Sequence, residues 1–268
     1  MPTNSQRRKE LSQLLSEGTI ATRSWLMANG FDRHAIDNLL KSDQLSSVAP
    51  GVYARWNSKL SWEAVVYHLQ RDLNRNLTIG GLTALDLQGL SHYLPLAGKR
   101  KIHLYGTARL PAWLEKVLPD VEFKWHSERE LLGKNQPVIQ DTQNDPLVRF
   151  TKVQPWEDEE HTLRLSSPER AILEILLGIG IPNETSFEHA DQLMQGLSTL
   201  SPRSLQALLE ECDNKKVRRL FFWLAERHQH SWLGKLQPEK IDFGYGKRML
   251  VKDGTLVKKY NITVPKSL

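Results

Sequence analysis

The sequence predicts an α+β protein in two parts, on three observations. The first sixty residues read as three short helices followed by two short strands around Pro50-Gly51. Residues 77–165 alternate short β-prone runs with brief helices. From Ser166 the pattern turns helical until a strand pair near the C-terminus. The chain has 268 residues, 40% hydrophobic and 25% charged, enough to bury a real core and unlike a disordered chain. The division is placed after a connecting helix, giving parts 1–76 and 77–268.

The elements follow in order. Leu11, Leu14 and Leu15 recur at helical spacing and predict a helix over 7–15. Thr22 is a suitable N-cap for a helix over 23–28, which Asn29-Gly30 stops because both tolerate a left-handed backbone. Asp32 caps the next helix, and Phe31 before it can staple onto Ile36. Ile36, Leu39 and Leu40 then form one apolar stripe, with Arg33, Asp37, Asn38 and Lys41 off it. Residues 45–48 and 52–55 read as strands joined by Ala49-Pro50-Gly51.

A helix over 61–73 turns Trp62, Val65, Val66 and Leu69 inward and connects the two parts. Strands are predicted at 77–79, 101–105, 121–125, 147–153 and 161–165, the second alternating as a sheet with one wet face should. Thr83 is the expected cap of a brief helix to Gln88, and residues 110–117 read as helix. Residues 136–145 read as a polar loop and 157–160 as an acidic, solvated turn. At 166–169 either Ser166 and Glu169 form a capping box, or Ser167 caps with Pro168 at the first helical position. Apolar residues then run to Leu177 with almost no polar face, so this helix is expected in the core. Further helices are predicted at 187–197, 202–211 and 215–228. A last hairpin joins 248–251 to 256–264 through Asp253-Gly254, a type I′-prone turn.

Three helices and a hairpin in about fifty residues fit a winged helix-turn-helix. The full fold class is therefore an N-terminal winged helix-turn-helix followed by a larger mixed α/β C-terminal domain. In that fold the third helix enters the major groove, which makes Arg33, His34, Asn38 and Lys41 the candidates for DNA. Arginine suits guanine, asparagine suits adenine, and Lys41 suits phosphate equally well. Arg23, Arg55, Lys247 and Arg248 are further candidate DNA contacts. Asp37 on the same face is awkward, because it repels phosphate unless it reads a cytosine amine.

Charge agrees with a polyanion partner. The ends are basic, +3 over residues 1–60 and +5 over 233–268, while 151–232 carries −4. Lys215, Lys216, Arg218 and Arg219 open a helix where they oppose its dipole. They call either for pairing with Glu210, Glu211 and Asp213 or for an anionic partner.

Other function classes find little support. Cys212 is the single cysteine, which excludes an intrachain disulfide and a cysteine-based zinc site. Residues 1–10 lack the apolar stretch of a secretory signal, and no apolar run approaches membrane-spanning length, so a cytoplasmic protein with no membrane partner is expected. His228 and His230 stand two apart, which on a helix points their rings away from each other, so no metal site is expected. Asp242-Phe243-Gly244 spells the kinase magnesium tripeptide without the other kinase motifs. Asp120, Glu122 and Lys124 evoke a restriction-type nuclease, but both acids lie in one segment. No nucleotide-binding or hydrolase motif occurs, so no catalytic residue, cofactor or enzyme activity is expected.

The chain also resembles a family. Residues 3–56 are similar to the N-terminal domain of AbiEi antitoxins, the repressor half of bacterial type IV toxin–antitoxin pairs. The carriers are Gly18, Trp25-Leu26, Gly30, Ile36, Leu39-Leu40, Leu45 and Pro50-Gly51-Val52-Tyr53. Relatives often place basic residues in the wing, where this chain has Ser46, Ser47 and Ala49 and keeps only Arg55. The later part resembles the AbiEi C-terminal domain through Leu165-Ser166-Ser167-Pro168-Glu169-Arg170-Ala171, Arg218-Arg219-Leu220, Gly244 to Arg248 and Tyr260 to Pro265. The resemblance implies an antitoxin that neutralises a nucleotidyltransferase-type toxin and represses its own operon by binding operator DNA. Neutralisation in such a system needs no stable toxin contact, since a type IV antitoxin acts on the toxin's target or effect. The alternative is a winged-helix regulator whose C-terminal domain senses a ligand and which has no toxin partner. A third reading is a nuclease or RNA-modifying enzyme using Glu122.

Overall fold

The computed structural model describes residues 4–73, 77–91, 98–133, 149–156 and 161–268. The expected loop at 136–145, the acidic turn at 157–160 and the start of the strand at 147 lie outside these residues. It is a mixed α/β structure with an N-terminal and a C-terminal part.

Three helices open the chain: α1 (Asn4–Leu14), α2 (Arg23–Ala28) and α3 (Arg33–Lys41). The caps are those the sequence predicts. Thr22 accepts a hydrogen bond from the Trp25 amide and Asp32 from the Ala35 amide. Phe31, Leu26, Ile36 and Leu39 are buried with Leu11, Leu15 and Leu45 in one cluster, so packing rather than helix propensity holds these short helices. Strands β2 (Leu45–Ala49) and β3 (Val52–Arg55) pair antiparallel across a turn in which Gly51 takes φ +72°. The sequence reading leaves out a third strand, β1 (Ile20–Thr22), which pairs with β3 and gives the order β1-β3-β2.

Helix α4 (Trp62–His68) is capped by Ser61 and continues as one π-helical turn, Leu69–Leu73. Its Trp62, Val65 and Val66 are buried in a cluster that takes in Ile20, Val52 and Ala54 on one side. On the other side the cluster takes in Ile79, Ile102, Leu104 and Leu165. The connecting helix therefore shares one core with the N-terminal strands and with strands of the central sheet. The Gln70 side-chain amide exchanges two 2.9 Å hydrogen bonds with the Arg164 backbone, standing in for a strand neighbour.

The central sheet has five strands: β4 (Thr78–Ile79), β5 (Arg100–Gly106), β6 (Val121–Ser127), β7 (Thr151–Pro155) and β8 (Thr162–Ser166). Their order is β6-β5-β4-β8-β7, with β5–β6 and β4–β8 parallel and the other two pairs antiparallel. Short helices α5 (Gly81–Leu87), α6 (Leu114–Val117) and α7 (Arg129–Leu132) lie between strands. Helix α6 is shorter than the 110–117 expected. Thr83 does not cap α5. Its hydroxyl accepts from the His103 amide, and the cap comes from Glu174, whose carboxylate accepts from the Gly81 amide at 2.7 Å. Gly80 permits that approach, because a Cβ there would lie 2.3 Å from the Glu174 carboxylate and 2.4 Å from the Tyr105 ring.

Helix α8 (Pro168–Leu177) is buried along all ten residues. Ser167 is its cap and Pro168 its first residue, the second of the two registers considered. No capping box forms: Ser166 donates to Glu174, and Glu169 accepts from the Ser201 amide. Inside the core, Arg170 lies between Glu174 (2.7 Å) and Glu128 (2.8 Å), each of the three side chains at most 1% exposed. Burial alone would depress the guanidinium, but the two carboxylates outweigh it and raise its pKa, so it is held charged.

Helices α9 (Phe187–Gly196), α10 (Pro202–Glu211) and α11 (Lys215–His228) complete the helical part. Cys212 is fully buried after α10, and burial pushes its thiol up to about 11. At neutral pH its thiolate is about a hundredfold scarcer than that of free cysteine. Labelling by a thiol reagent is therefore expected to lag that of the urea-unfolded chain by at least that factor. Comparable rates would show that this region opens readily.

The C-terminal sheet corrects the hairpin expectation. Strands β9 (Arg248–Met249), β10 (Thr255–Val257) and β11 (Ile262–Val264) are ordered β10-β11-β9, and β9 pairs parallel to β11. The hairpin is β10–β11. Asp253-Gly254 is not its turn; Gly254 is required because a Cβ there would lie 2.3 Å from the Val264 carbonyl oxygen. Among the described residues, no helix is long and apolar enough to cross a membrane.

Candidate functional site

The outer face of α3 carries the side chains selected from sequence. Arg33, His34, Asp37 and Lys41 are exposed and Asn38 is half-buried, while Ala35, Ile36 and Leu39 hold the opposite face to the core. Spacings of three and four residues keep the five polar side chains on neighbouring rows. Arg23, at the start of α2, donates to the Tyr53 hydroxyl at 2.6 and 3.0 Å. That bond is the main cause of its raised pKa, and Asp37 adds to it, so the awkward acid on α3 has a nearby cation. Arg55 pairs with Glu17 at 3.4 Å; as a half-exposed pair it costs little to exchange for another anion. Trp56 beyond it is more than half exposed.

Lys247 and Arg248 are exposed at β9, beside a fully exposed Tyr245 and an exposed Met249. The cluster at the start of α11 is different. Lys215 pairs with Asp242 at 2.6 Å, and Lys216 donates to the carbonyls of Leu177, the last residue of α8, and of Ile179 just beyond it. Arg218 donates to the Leu209, Glu210 and Asp242 carbonyls. Arg219 donates to those of Phe243, Tyr245 and Gly246. Both arginines are buried. The expectation of an anion-binding patch is corrected: Lys216, Arg218 and Arg219 are spent on backbone carbonyls within the chain and Lys215 on the Asp242 carboxylate, and among the described residues none is paired with the Glu210, Glu211 or Asp213 carboxylates. A planar guanidinium with five donors suits that task, which sequence spacing does not reveal.

The histidines near the end of α11 also depart from expectation. Gln229 takes a left-handed φ of 48° and ends the helix, so the His228 and His230 rings stack with centroids 6.0 Å apart. His228 Nε2 bonds to Asp191 at 2.9 Å and His230 Nε2 to the Met194 carbonyl at 2.8 Å. Asp242 closes a turn by accepting from the Gly244 amide.

A cleft of about 840 Å³ opens between α5, the β5–β6 edge of the sheet and the turn after α8. Strand alternation puts Lys101, His103 and Tyr105 on its side of β5, and Glu122, Lys124 and His126 on the same side of β6. The wet face expected of β5 is thus the wall of a cleft. His103 Nδ1 and His126 Nε2 lie 3.0 Å apart, and His126 stacks on Tyr105 at 4.7 Å. Burial, then the neighbouring His126 and lysines, brings His103 down to about 4; burial also lowers His126. Tyr105 is held well above its ordinary value by burial and by the Glu174 and Glu184 carboxylates. Glu184 reaches the same place from the turn after α8, so that one ligand atom each of His103, His126 and Glu184 lie within 4.8 Å of one another. Glu122 is bound to Lys124 at 2.8 Å.

Comparison with known proteins places these observations. A family described as transcriptional regulator, AbiEi antitoxin, type IV TA system matches residues 99–265. Its companion, described as the AbiEi antitoxin N-terminal domain, matches residues 4–96. No curated protein matches. The crystal structure of the RV2827C protein from Mycobacterium tuberculosis is similar in fold, with a TM-score of 0.57 at 16% identity, over 98% of this chain and 91% of that one. With both family regions matched in order across nearly its whole length, the chain belongs to the AbiEi antitoxin transcriptional regulators of type IV toxin–antitoxin systems.

Proposed function

We propose that residues 1–76 form a winged helix-turn-helix that binds operator DNA, and that the protein represses its own operon while residues 77–268 serve antitoxicity. The single observation that carries the reading is α3: capped by Asp32, buried on one face, and presenting Arg33, His34, Asn38 and Lys41 on the other. In this arrangement α3 lies in the major groove, with Arg33 and Asn38 at base edges and His34 beside them. Lys41, Arg23, Arg55, Lys247 and Arg248 meet phosphate. The β2–β3 turn is the wing, and its weak basic character places more of the backbone grip on Arg55 and on α2. The toxin counteracted is of the nucleotidyltransferase type, by the family resemblance.

The test is binding of the purified protein to its own upstream DNA and to a scrambled duplex across a salt series. A preference for the native site that persists at physiological salt, with a steep salt slope, supports the reading. Arg33→Ala and Asn38→Ala are each expected to lose about 1–3 kcal/mol of discrimination between the two duplexes. Equal, salt-labile binding to both duplexes, or equal weakening on both in the variants, would remove α3 from base recognition. The cleft gives specific support to a ligand-sensing C-terminal part as a second reading, because polar groups converge in it.

A further inference from the structure

The cleft wall holds two imidazoles and a carboxylate from three separate segments, and DNA binding uses none of them. We propose that His103, His126 and Glu184 bind one divalent first-row transition ion, zinc fitting best, with a fourth position open to the cleft.

The geometry is close to what such an ion needs. Tetrahedral zinc with bonds of about 2.0–2.1 Å to nitrogen and oxygen spaces its ligand atoms by about 3.3 Å. His103 Nδ1 and His126 Nε2 are 3.0 Å apart, and the full set of three atoms lies within 4.8 Å. Two ring nitrogens at that distance share one proton; a metal ion replaces it, with a small rotation of each ring. The donor set of two imidazoles and one carboxylate suits zinc, cobalt or nickel, whereas calcium and magnesium take oxygen ligands.

The ligands are also held in place beforehand. The backbone at His103 is fixed by its amide bond to Thr83 and by its carbonyl, which accepts from Gly80 at 3.0 Å. His126 lies between the Tyr105 and His103 rings, at 4.7 and 5.2 Å. Glu184 follows Asn183, whose φ of 64° turns the chain back toward the sheet. Of the cations on this wall, Lys124 is neutralised by Glu122, while Lys101, Lys99 and Arg100 oppose the ion. Three protein ligands with an open position facing a cleft is the arrangement of zinc sites that take an exogenous ligand, while structural zinc sites are closed by four.

The test uses the untagged full-length protein, stripped with a chelator and titrated with Co²⁺ as the spectroscopic probe and with Zn²⁺ by calorimetry. One equivalent of either ion is expected to bind, with visible bands of low-coordinate Co²⁺ that Zn²⁺ abolishes. Glu184→Gln and His126→Gln are each expected to weaken binding about tenfold or more. His189→Gln, elsewhere on the cleft wall, is expected to leave it unchanged. Glu184 sits in a turn, so its variant is expected to fold; Zn²⁺ should raise the melting temperature of the unaltered protein and not that of Glu184→Gln. Absence of saturable binding, or binding of unchanged affinity in Glu184→Gln, overturns the proposal. Either result leaves the DNA-binding reading standing or falling on its own test.

Discussion

Arg170→Ala is expected to destabilise the protein by about 3–5 kcal/mol, the largest effect of any single substitution considered. The reason is what it leaves behind. Glu128 and Glu174 would remain in the core without the guanidinium that lies 2.8 and 2.7 Å from them. The damage extends further, because Glu174 also holds the Gly81 amide at the start of α5 and the Ser166 hydroxyl at the end of β8. Urea denaturation monitored by circular dichroism measures the loss. A pH series identifies its cause: in the variant the stranded carboxyls hold protons more tightly folded than unfolded. The folded state then binds more protons above the ordinary carboxyl range, so the variant's stability falls as pH rises. The deficit should thus be greatest near pH 7 and shrink toward pH 5. A loss below about 1 kcal/mol, or one that does not vary with pH, would show that the triad does not hold the core.

Arg219→Ala should cost about 3 kcal/mol and loosen one segment in particular. Its guanidinium donates at 2.7 Å to the carbonyls of Phe243 and Gly246 and at 3.2 Å to that of Tyr245. It is a buried peg under an otherwise irregular stretch that leads into β9. Limited proteolysis should show new cleavage between 243 and 251, and Arg219→Lys should recover little, since one ammonium cannot span three carbonyls. An unchanged digestion pattern together with near-normal stability would mean that Phe243 and Tyr260 anchor the segment by ring contacts alone.

What the sequence made legible was local. Thr22 and Asp32 cap where expected because a cap is decided within four residues, and α8 is buried because its apolar residues leave almost no polar face, its Arg170 and Glu174 pairing with each other inside. Strand partners were less legible. Asp253-Gly254 has the residues of a tight turn, but the neighbour of β11 on one side is the parallel β9, a pairing no local signal encodes. Thr83 was plausible as a cap, and lost that place to Glu174, a residue far along the chain. The site behaved the same way. The face of α3 followed from helical spacing. His103, His126 and Glu184 carry no motif spacing, and only the period-two alternation of β5 and β6 hinted that the two histidines share a face. Arg218 and Arg219 show the opposite failure, part of a charge run with the pattern of a surface whose two arginines fold inward.

The central strand of the five-stranded sheet, only Thr78 and Ile79, has a bearing on how quickly the chain can assemble. On one side it pairs with β5; on the other, Ile79 meets Leu165. The β7–β8 hairpin and the first three helices need only neighbours close in the chain. Joining the sheet's two wings must wait until residues 79 and 165 have found each other, a loop closed before its burial is rewarded. Assembly of the sheet is therefore expected to be the slow event. While it is pending, the edges of β5 and β8 stand open to wrong partners, and nascent chains are most exposed to self-association at that stage.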